Sequence, residues 1–207
     1  MIRVVIVEDE PSERATLRAI VDSWPNCSCL GAYGTAESLI QNLLETRPHL
    51  AIVDLGLPRM SGIRCVWRLK EHNPDIVALV HTVESESSVV FQALQAGATG
   101  YLLKGVSATD LKQAAFDMMA GGSVMTPSIA RHVLRWFQRT PGLPSGTDAL
   151  SPRERQVLNL LTQGFRNDEI ADELSLTLNT VKTHIRRIYE TLQVHSRGEL
   201  FARLRAG

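Results

Sequence analysis

Apolar residues follow two different rhythms along this chain. Over the first 120 residues, short apolar runs alternate with amphipathic stretches of helical period. The runs Arg3–Val7, Cys29–Tyr33, Leu50–Val53, Ile76–Val80 and Gly100–Leu103 read as strands. Between them, Ser12–Val21, Ala36–Glu45, Gly62–Glu71, Ser87–Ala96 and Ala108–Ala120 read as helices, with Thr35, Ser61 and Ser107 as polar caps. Five strand–helix units predict a parallel sheet covered by helices on both faces. Pro127 introduces one more helical stretch, Ser128–Arg139, and Thr-Pro-Gly-Leu-Pro-Ser-Gly-Thr at 140–147 reads as a linker. Beyond it the pattern is helical only. Ser151 with Glu154 is a capping box signature opening a stripe of Val157, Leu158, Leu160 and Leu161 that Gly164 closes. Asn167–Leu174, Thr177–Leu192 and Arg197–Arg205 follow as three further helices. The expected organisation is a domain over 1–122, a linker with one helix over 123–148, and a smaller all-α domain over 149–207.

Composition narrows the class. The apolar fraction is 44 % and the charged fraction 21 %, ordinary for a soluble globular protein. No apolar run approaches the ~20 residues of a membrane span, and acids end the N-terminal run too early for a signal peptide. Cys27, Cys29 and Cys65 have neither disulfide-framework nor zinc spacing, which fits buried thiols in a reducing cytoplasm. The whole chain has no net charge, but residues 1–125 carry 10 basic and 14 acidic groups while 150–207 carry 9 and 7. The second domain is only mildly basic, so a nucleic-acid reading has to rest on where its charges sit.

In an open parallel sheet, ligands bind outside the carboxyl ends of the strands. Glu8, Asp9 and Glu10 end the first strand, Asp54 the third, Thr82 the fourth and Lys104 the fifth. Clustered carboxylates repel one another and call for a divalent cation. An all-oxygen site with open positions suits Mg²⁺, and a carboxylate beside it can attack phosphorus to form an aspartyl phosphate. Lys104 offsets charge on the transferring group, and Thr82 hydrogen-bonds the product.

The string Asp54-Leu-Gly-Leu-Pro-Arg-Met-Ser-Gly62, with Glu8–Asp9 before it and Thr82 and Tyr-Leu-Leu-Lys104 after it, resembles the receiver domain of response regulators. The resemblance implies a flavodoxin-like (βα)5 fold. It makes Asp54 the phosphoacceptor, Asp9, Asp54 and the Gly56 carbonyl the direct Mg²⁺ ligands, and Glu8 a ligand through water. It also makes Thr82 and Tyr101 a switch pair. Val83 stands where a smaller residue is usual and is expected to crowd movement of the loop. Gly56 and Glu84 sit where phosphoryl lifetime is set.

In the second domain, Ser175-Leu176 separates two helices at helix-turn-helix spacing. On the longer helix Val181, Ile185, Ile188 and Leu192 share one face, and Lys182, Thr183, Arg186 and Arg187 the other. His184 lies beside that basic face, where it either holds the helix through a hydrogen bond or contacts a base. Leu-Ser-Pro-Arg-Glu-Arg-Gln-Val-Leu, Asn-Asp-Glu-Ile-Ala and Thr-Val-Lys-Thr-His-Ile resemble the LuxR-type helix-turn-helix. Receiver plus this module is the architecture of the NarL/FixJ family. By that resemblance Lys182, Thr183 and Arg186 face bases, and Asn167, Thr180 and Arg187 contact phosphates, which position without specifying. Arg166 replaces the usual cap of the second helix, and Leu178–Asn179 the usual start of the third. Leu200, Phe201 and Leu204 are candidates for a dimer seam or for internal packing.

The expectation is therefore a cytoplasmic transcriptional regulator, not a turnover enzyme. A sensor histidine kinase phosphorylates Asp54, and phosphorylation favours a homodimer bound to double-stranded DNA. Two competitors remain. One is a DNA-binding regulator with an unused pocket. The other is an aspartate-nucleophile phosphatase, which usually carries a second acid at the position Gly56 occupies.

Overall fold

The computed structural model describes residues 1–138 and 149–206, with side chains for 1–134, 149–201 and 203. It divides into two compact units, Met1–Ala130 and Arg131–Gly207.

The first unit is built on β1 (Ile2–Val7), β2 (Cys27–Tyr33), β3 (Leu50–Val53), β4 (Val77–Thr82) and β5 (Gly100–Leu103). They form one parallel sheet in the order β2-β1-β3-β4-β5. Around it lie α1 (Pro11–Asp22), α2 (Ala36–Gln41), α3 (Leu43–Thr46), α4 (Gly62–His72), α5 (Ser87–Gln95) and α6 (Ala108–Met119). Because helices cover both faces, the central strands are apolar at successive positions: Val4 to Val7 and Leu50 to Val53 are all buried. One face packs Val4, Ile6, Ile52, Leu79 and Leu102 against Leu17 and Val21 of α1 and Leu111, Ala115 and Met118 of α6. The strand order reverses at β1, so the carboxyl ends of β1 and β3 flank the crevice where such sheets bind ligands.

Thr35, Ser61 and Ser107 cap α2, α4 and α6 through their side chains. The helix expected over 36–45 is broken at Asn42, which leaves helical geometry (φ −100°, ψ 4°) and donates from its side chain to the Ser38 carbonyl. Strand β2 begins earlier than expected, and its register against β1 shifts between Val4 and Val5, so Leu30 bulges out, 39 % exposed, between buried Cys29 and Gly31. The three cysteines are free thiols.

Beyond β5 the chain returns to the sheet edge. Tyr101 N–H donates to the Val124 carbonyl at 2.8 Å, and Thr126 N–H donates to the Tyr101 carbonyl at 3.2 Å. That bridge leads directly into α7 (Pro127–Gln138). The expected linker at 140–147 lies outside the described residues.

In the second unit, α8 (Pro152–Thr162), α9 (Asn167–Glu173), α10 (Leu178–Thr191) and α11 (Arg197–Ala206) enclose Val157, Leu161, Phe165, Ile170, Val181, Ile188 and Leu200. Arg153 donates to the Leu174 carbonyl at the end of α9, and Arg197 to the Leu161 carbonyl in the last turn of α8 and to the Phe165 carbonyl beyond it, so each guanidinium ties down main-chain carbonyls at a helix end. Ser175, at φ 53°, makes the tight turn between α9 and α10. No helix among the described residues is long and apolar enough to cross a membrane.

The capping box at α8 is complete. Ser151 Oγ accepts Glu154 N–H, while Glu154 accepts Ser151 N–H at 2.9 Å. Hydrogen bonds from the Ser151 side chain and backbone hold the Glu154 carboxyl below the usual carboxylate range. A carboxyl lowered by folding stabilises fully above its unfolded pKa, and that contribution is lost as pH falls through the folded value. Ser151→Ala is therefore expected to cost about 1 kcal/mol at neutral pH and to flatten the acid limb. Urea denaturation at neutral and acidic pH checks this, and an unchanged neutral midpoint would refute it.

Candidate functional site

Parallel topology brings four strand ends to one rim. Glu8 after β1 is 1 % exposed, and Asp54 after β3 is 6 % exposed. The ladder between β1 and β3 runs on through Asp54 N–H to the Val7 carbonyl, and that between β4 and β5 through Lys104 N–H to the Thr82 carbonyl. Lys104 Nζ consequently lies 2.9 Å from Asp54 Oδ2 and 2.8 Å from Glu8 Oε2, an ion bridge between strand ends. Leu55 N–H donates to Asp54 Oδ1 at 2.6 Å and Gly56 N–H at 3.3 Å. Glu8, Asp9 and Asp54 each place one oxygen within 4.8 Å of the others.

Burial pushes the Asp54 carboxyl up, but hydrogen bonds from Thr82, Lys104 and Gly56 outweigh it and hold the group below its ordinary value. Burial pushes Glu8 up, helped by the charge of Asp54 and opposed by Lys104. Burial pulls Lys104 down, yet its hydrogen bonds to Glu8 and Asp54 raise it overall. The pocket thus keeps Asp54 ionised beside a charged lysine.

Tyr101 is fully buried and donates from Oη to the Glu84 carbonyl at 2.9 Å. Glu84 N–H donates to Thr82 Oγ1 at 3.4 Å, and the Thr82 hydroxyl helps to hold the Asp54 carboxyl below its ordinary value. A chain of hydrogen bonds therefore joins Thr82, beside Asp54, to Tyr101, whose backbone holds Val124 and Thr126.

Val83 points into solvent, 73 % exposed. Glu10 stays out of the pocket as the N-cap of α1, accepting Ser12 N–H. Two residues beside the pocket carried no motif signal. Arg14 donates to the Glu8 and Asp9 carbonyls at 2.6 and 3.0 Å and so holds the acidic segment. Buried His81 precedes Thr82; burial and the Lys104 charge lower its imidazole below the usual range, so it adds no positive charge near neutral pH.

On α10, Val181, Ile185, Ile188 and Leu192 are buried. Lys182, Thr183, Arg186 and Arg187 are exposed, and Asn167 and Thr180 half-buried. Arg186 Nε lies 3.8 Å from Glu190. Thr180 shares its hydroxyl with the capping Thr177. The Nδ1 of His184 is buried with no hydrogen bond among the described residues. Arg166 does not cap α9 with its side chain; the cap is supplied in reverse, Glu169 accepting Arg166 N–H at 2.8 Å. Leu200 and Phe201 are buried, so packing already covers them and they do not offer a dimer seam; the Leu204 side chain lies outside the described residues.

Comparison with known proteins adds to this geometry. Residues 4–116 match the model of the response regulator receiver domain, and residues 148–204 that of the bacterial regulatory proteins of the luxR family. The chain is 32 % identical to the response regulator GacA of Pseudomonas protegens, over 97 % of this chain and 93 % of that protein. It is 30 % identical to the nitrate/nitrite response regulator NarL of Escherichia coli, over 95 % and 91 %. Among solved structures, the Salmonella typhimurium RcsB response regulator, described for its conformational dynamism in DNA interaction, aligns over 97 % of both chains at 25 % identity and a TM-score of 0.60. A second RcsB structure, of two dimers bound to two parallel DNAs, aligns over 97 % and 96 % at the same identity and TM-score.

Proposed function

We propose, since this chain belongs to the NarL/FixJ response regulators, with a receiver domain and a LuxR-type DNA-binding domain, that phosphorylation of Asp54 controls DNA binding by α10. The family is one of transcriptional regulators, not turnover enzymes. The observation that carries the reading is the Lys104 bridge, which gathers Asp54 and Glu8 at one rim beside Thr82.

A sensor histidine kinase or a small phosphodonor supplies the phosphoryl group. An ionised Asp54 oxygen attacks phosphorus, the bond from phosphorus to the donor breaks, and the donor leaves with that electron pair. Lys104 stays against the new phosphoryl oxygens and offsets their charge. Glu8, Asp9 and Asp54 fit a hard divalent cation, because three carboxylates this close carry more charge than Lys104 alone offsets. Asp9, Asp54 and the Gly56 carbonyl would hold Mg²⁺ directly and Glu8 through water. When bound, the ion adds positive charge beside the phosphoryl oxygens.

Thr82 then exchanges Asp54 for the phosphoryl group, which loosens the Thr82–Glu84–Tyr101 hydrogen bonds. The Tyr101 backbone bridge to 124–126 supports a route from that change into α7. The outcome is a cytoplasmic homodimer on double-stranded DNA, with Lys182, Thr183 and Arg186 toward bases and Asn167, Thr180 and Arg187 toward phosphates. Residues 123–148 join the two functional domains.

Footprinting on genomic fragments, with and without phosphodonor and Mg²⁺, tests the reading. Phosphodonor is expected to tighten protection about tenfold, within the ordinary range of coupling free energies. Equal affinity in both conditions would make the pocket irrelevant to DNA binding, and sustained hydrolysis of a phosphate ester would make the chain an enzyme.

A further inference from the structure

The outward strip of α10 begins one turn earlier than the residues assigned to bases above. Asn179, Thr183, Arg186 and Glu190 recur at i, i+4, i+7 and i+11, opposite the buried Val181, Ile185, Ile188 and Leu192. All four strip residues are exposed. Asn179 sits in the first turn, the part of such a helix that enters the major groove. It does not cap the helix, because Thr177 does, its hydroxyl accepting Thr180 N–H at 3.2 Å. The Asn179 carboxamide makes no hydrogen bond among the described residues, so both its donor and its acceptor are free to face a ligand.

Its neighbour on the strip sharpens the chemistry. Thr183 Oγ1 donates to the Asn179 carbonyl at 2.9 Å. That bond occupies the hydroxyl within the helix and leaves the Thr183 methyl as the group it offers outward. A methyl recognises the C5-methyl of thymine, a guanidinium recognises the two acceptors of guanine, and a planar carboxamide matches the N7 acceptor and N6 donor of adenine.

We propose that Asn179 is a base-reading residue that selects an adenine in each half-site. This rests on the reading of α10 as the major-groove helix. Seven residues separate Asn179 from Arg186. They rise about 10 Å along the helix, or about three base pairs at 3.4 Å each. The adenine therefore lies within about three base pairs of the guanine read by Arg186, with a thymine methyl against Thr183 between them.

The test is selection from a randomised duplex library by the full chain with phosphodonor and Mg²⁺, followed by affinities for the recovered duplex and its variants. The wild-type chain is expected to recover a half-site with this adenine, and to lose about five- to tenfold in affinity when the base is changed or replaced by 7-deazaadenine. Asn179→Ala is expected to bind all these duplexes alike while keeping the preference for guanine. Asn179→Asp is expected to shift the preference toward cytosine, whose N4 donates to a carboxylate. Circular dichroism confirms that each variant keeps its helices, as an exposed position requires. If the wild-type motif is unchanged in Asn179→Ala, the assignment falls while the DNA-binding reading stands. If the wild-type chain recovers no motif at all, both fall.

Discussion

Asp54→Asn is expected to lower phosphoryl uptake from a radiolabelled small phosphodonor by more than about a hundredfold, and to abolish the phosphodonor-dependent footprint. The substitution keeps the size and planarity of the side chain, so the receiver stays folded. Lys104 retains Glu8 at 2.8 Å, and the Leu55 and Gly56 N–H donors still meet the side-chain oxygen. What disappears is the ionised oxygen that the pocket holds ready against burial. An amide has no comparable nucleophile, and loss of one negative charge also weakens the site for a divalent cation. Filter-bound label over time in wild type and variant is the measurement. Label retained at wild-type level in Asp54→Asn would place the nucleophile elsewhere, with Glu8 and Asp9 the nearest carboxylates.

Much of this pocket was legible in the sequence for a topological reason. In a parallel sheet all strands point the same way, so residues that end different strands must share a rim. Glu8, Asp54, Thr82 and Lys104 could be placed together without knowing any side-chain geometry. The strands themselves were legible because burial on both faces makes every position apolar, as in Leu50–Val53. Backbone contacts were not legible. Arg14 holds the acidic segment through carbonyls, and Thr82 reaches Tyr101 through the N–H and C=O of Glu84, groups that any residue would provide. The outward direction of Val83 was not legible either, because a residue's volume says nothing about the way the loop turns it. In the second unit the helical period showed which faces are apolar but not what covers them. Leu200 and Phe201 therefore read equally well as core or seam until their burial was seen.

Gly62→Ala is expected to destabilise the receiver by about 3 kcal/mol and to impair phosphoryl uptake with it. Gly62 opens α4 and donates its N–H to the Leu55 carbonyl at 3.2 Å, so the helix start lies against the backbone that carries Asp54. A Cβ there would stand 2.0 Å from the Asp54 carbonyl oxygen and 2.5 Å from Leu55 Cα. These are main-chain atoms, which cannot rotate away like a side chain, so either α4 or the Asp54 segment must move. Overpacking a tight interior costs about 1–3 kcal/mol, and a clash with backbone belongs at the upper end. The glycine that closes the Asp54-to-Gly62 string is thus explained by close approach, not by an unusual backbone angle. Gly56→Ala provides the contrast, since its Cβ would meet only Asp54 Oδ2, at 3.7 Å, an ordinary contact. That variant is expected to stay within about 0.5 kcal/mol of wild type. Urea denaturation of both variants, paired with uptake of labelled phosphoryl group, separates them. If Gly62→Ala unfolds at the wild-type midpoint, the Asp54 segment yields without cost. Its position against α4 would then not be what holds the carboxylate toward Lys104.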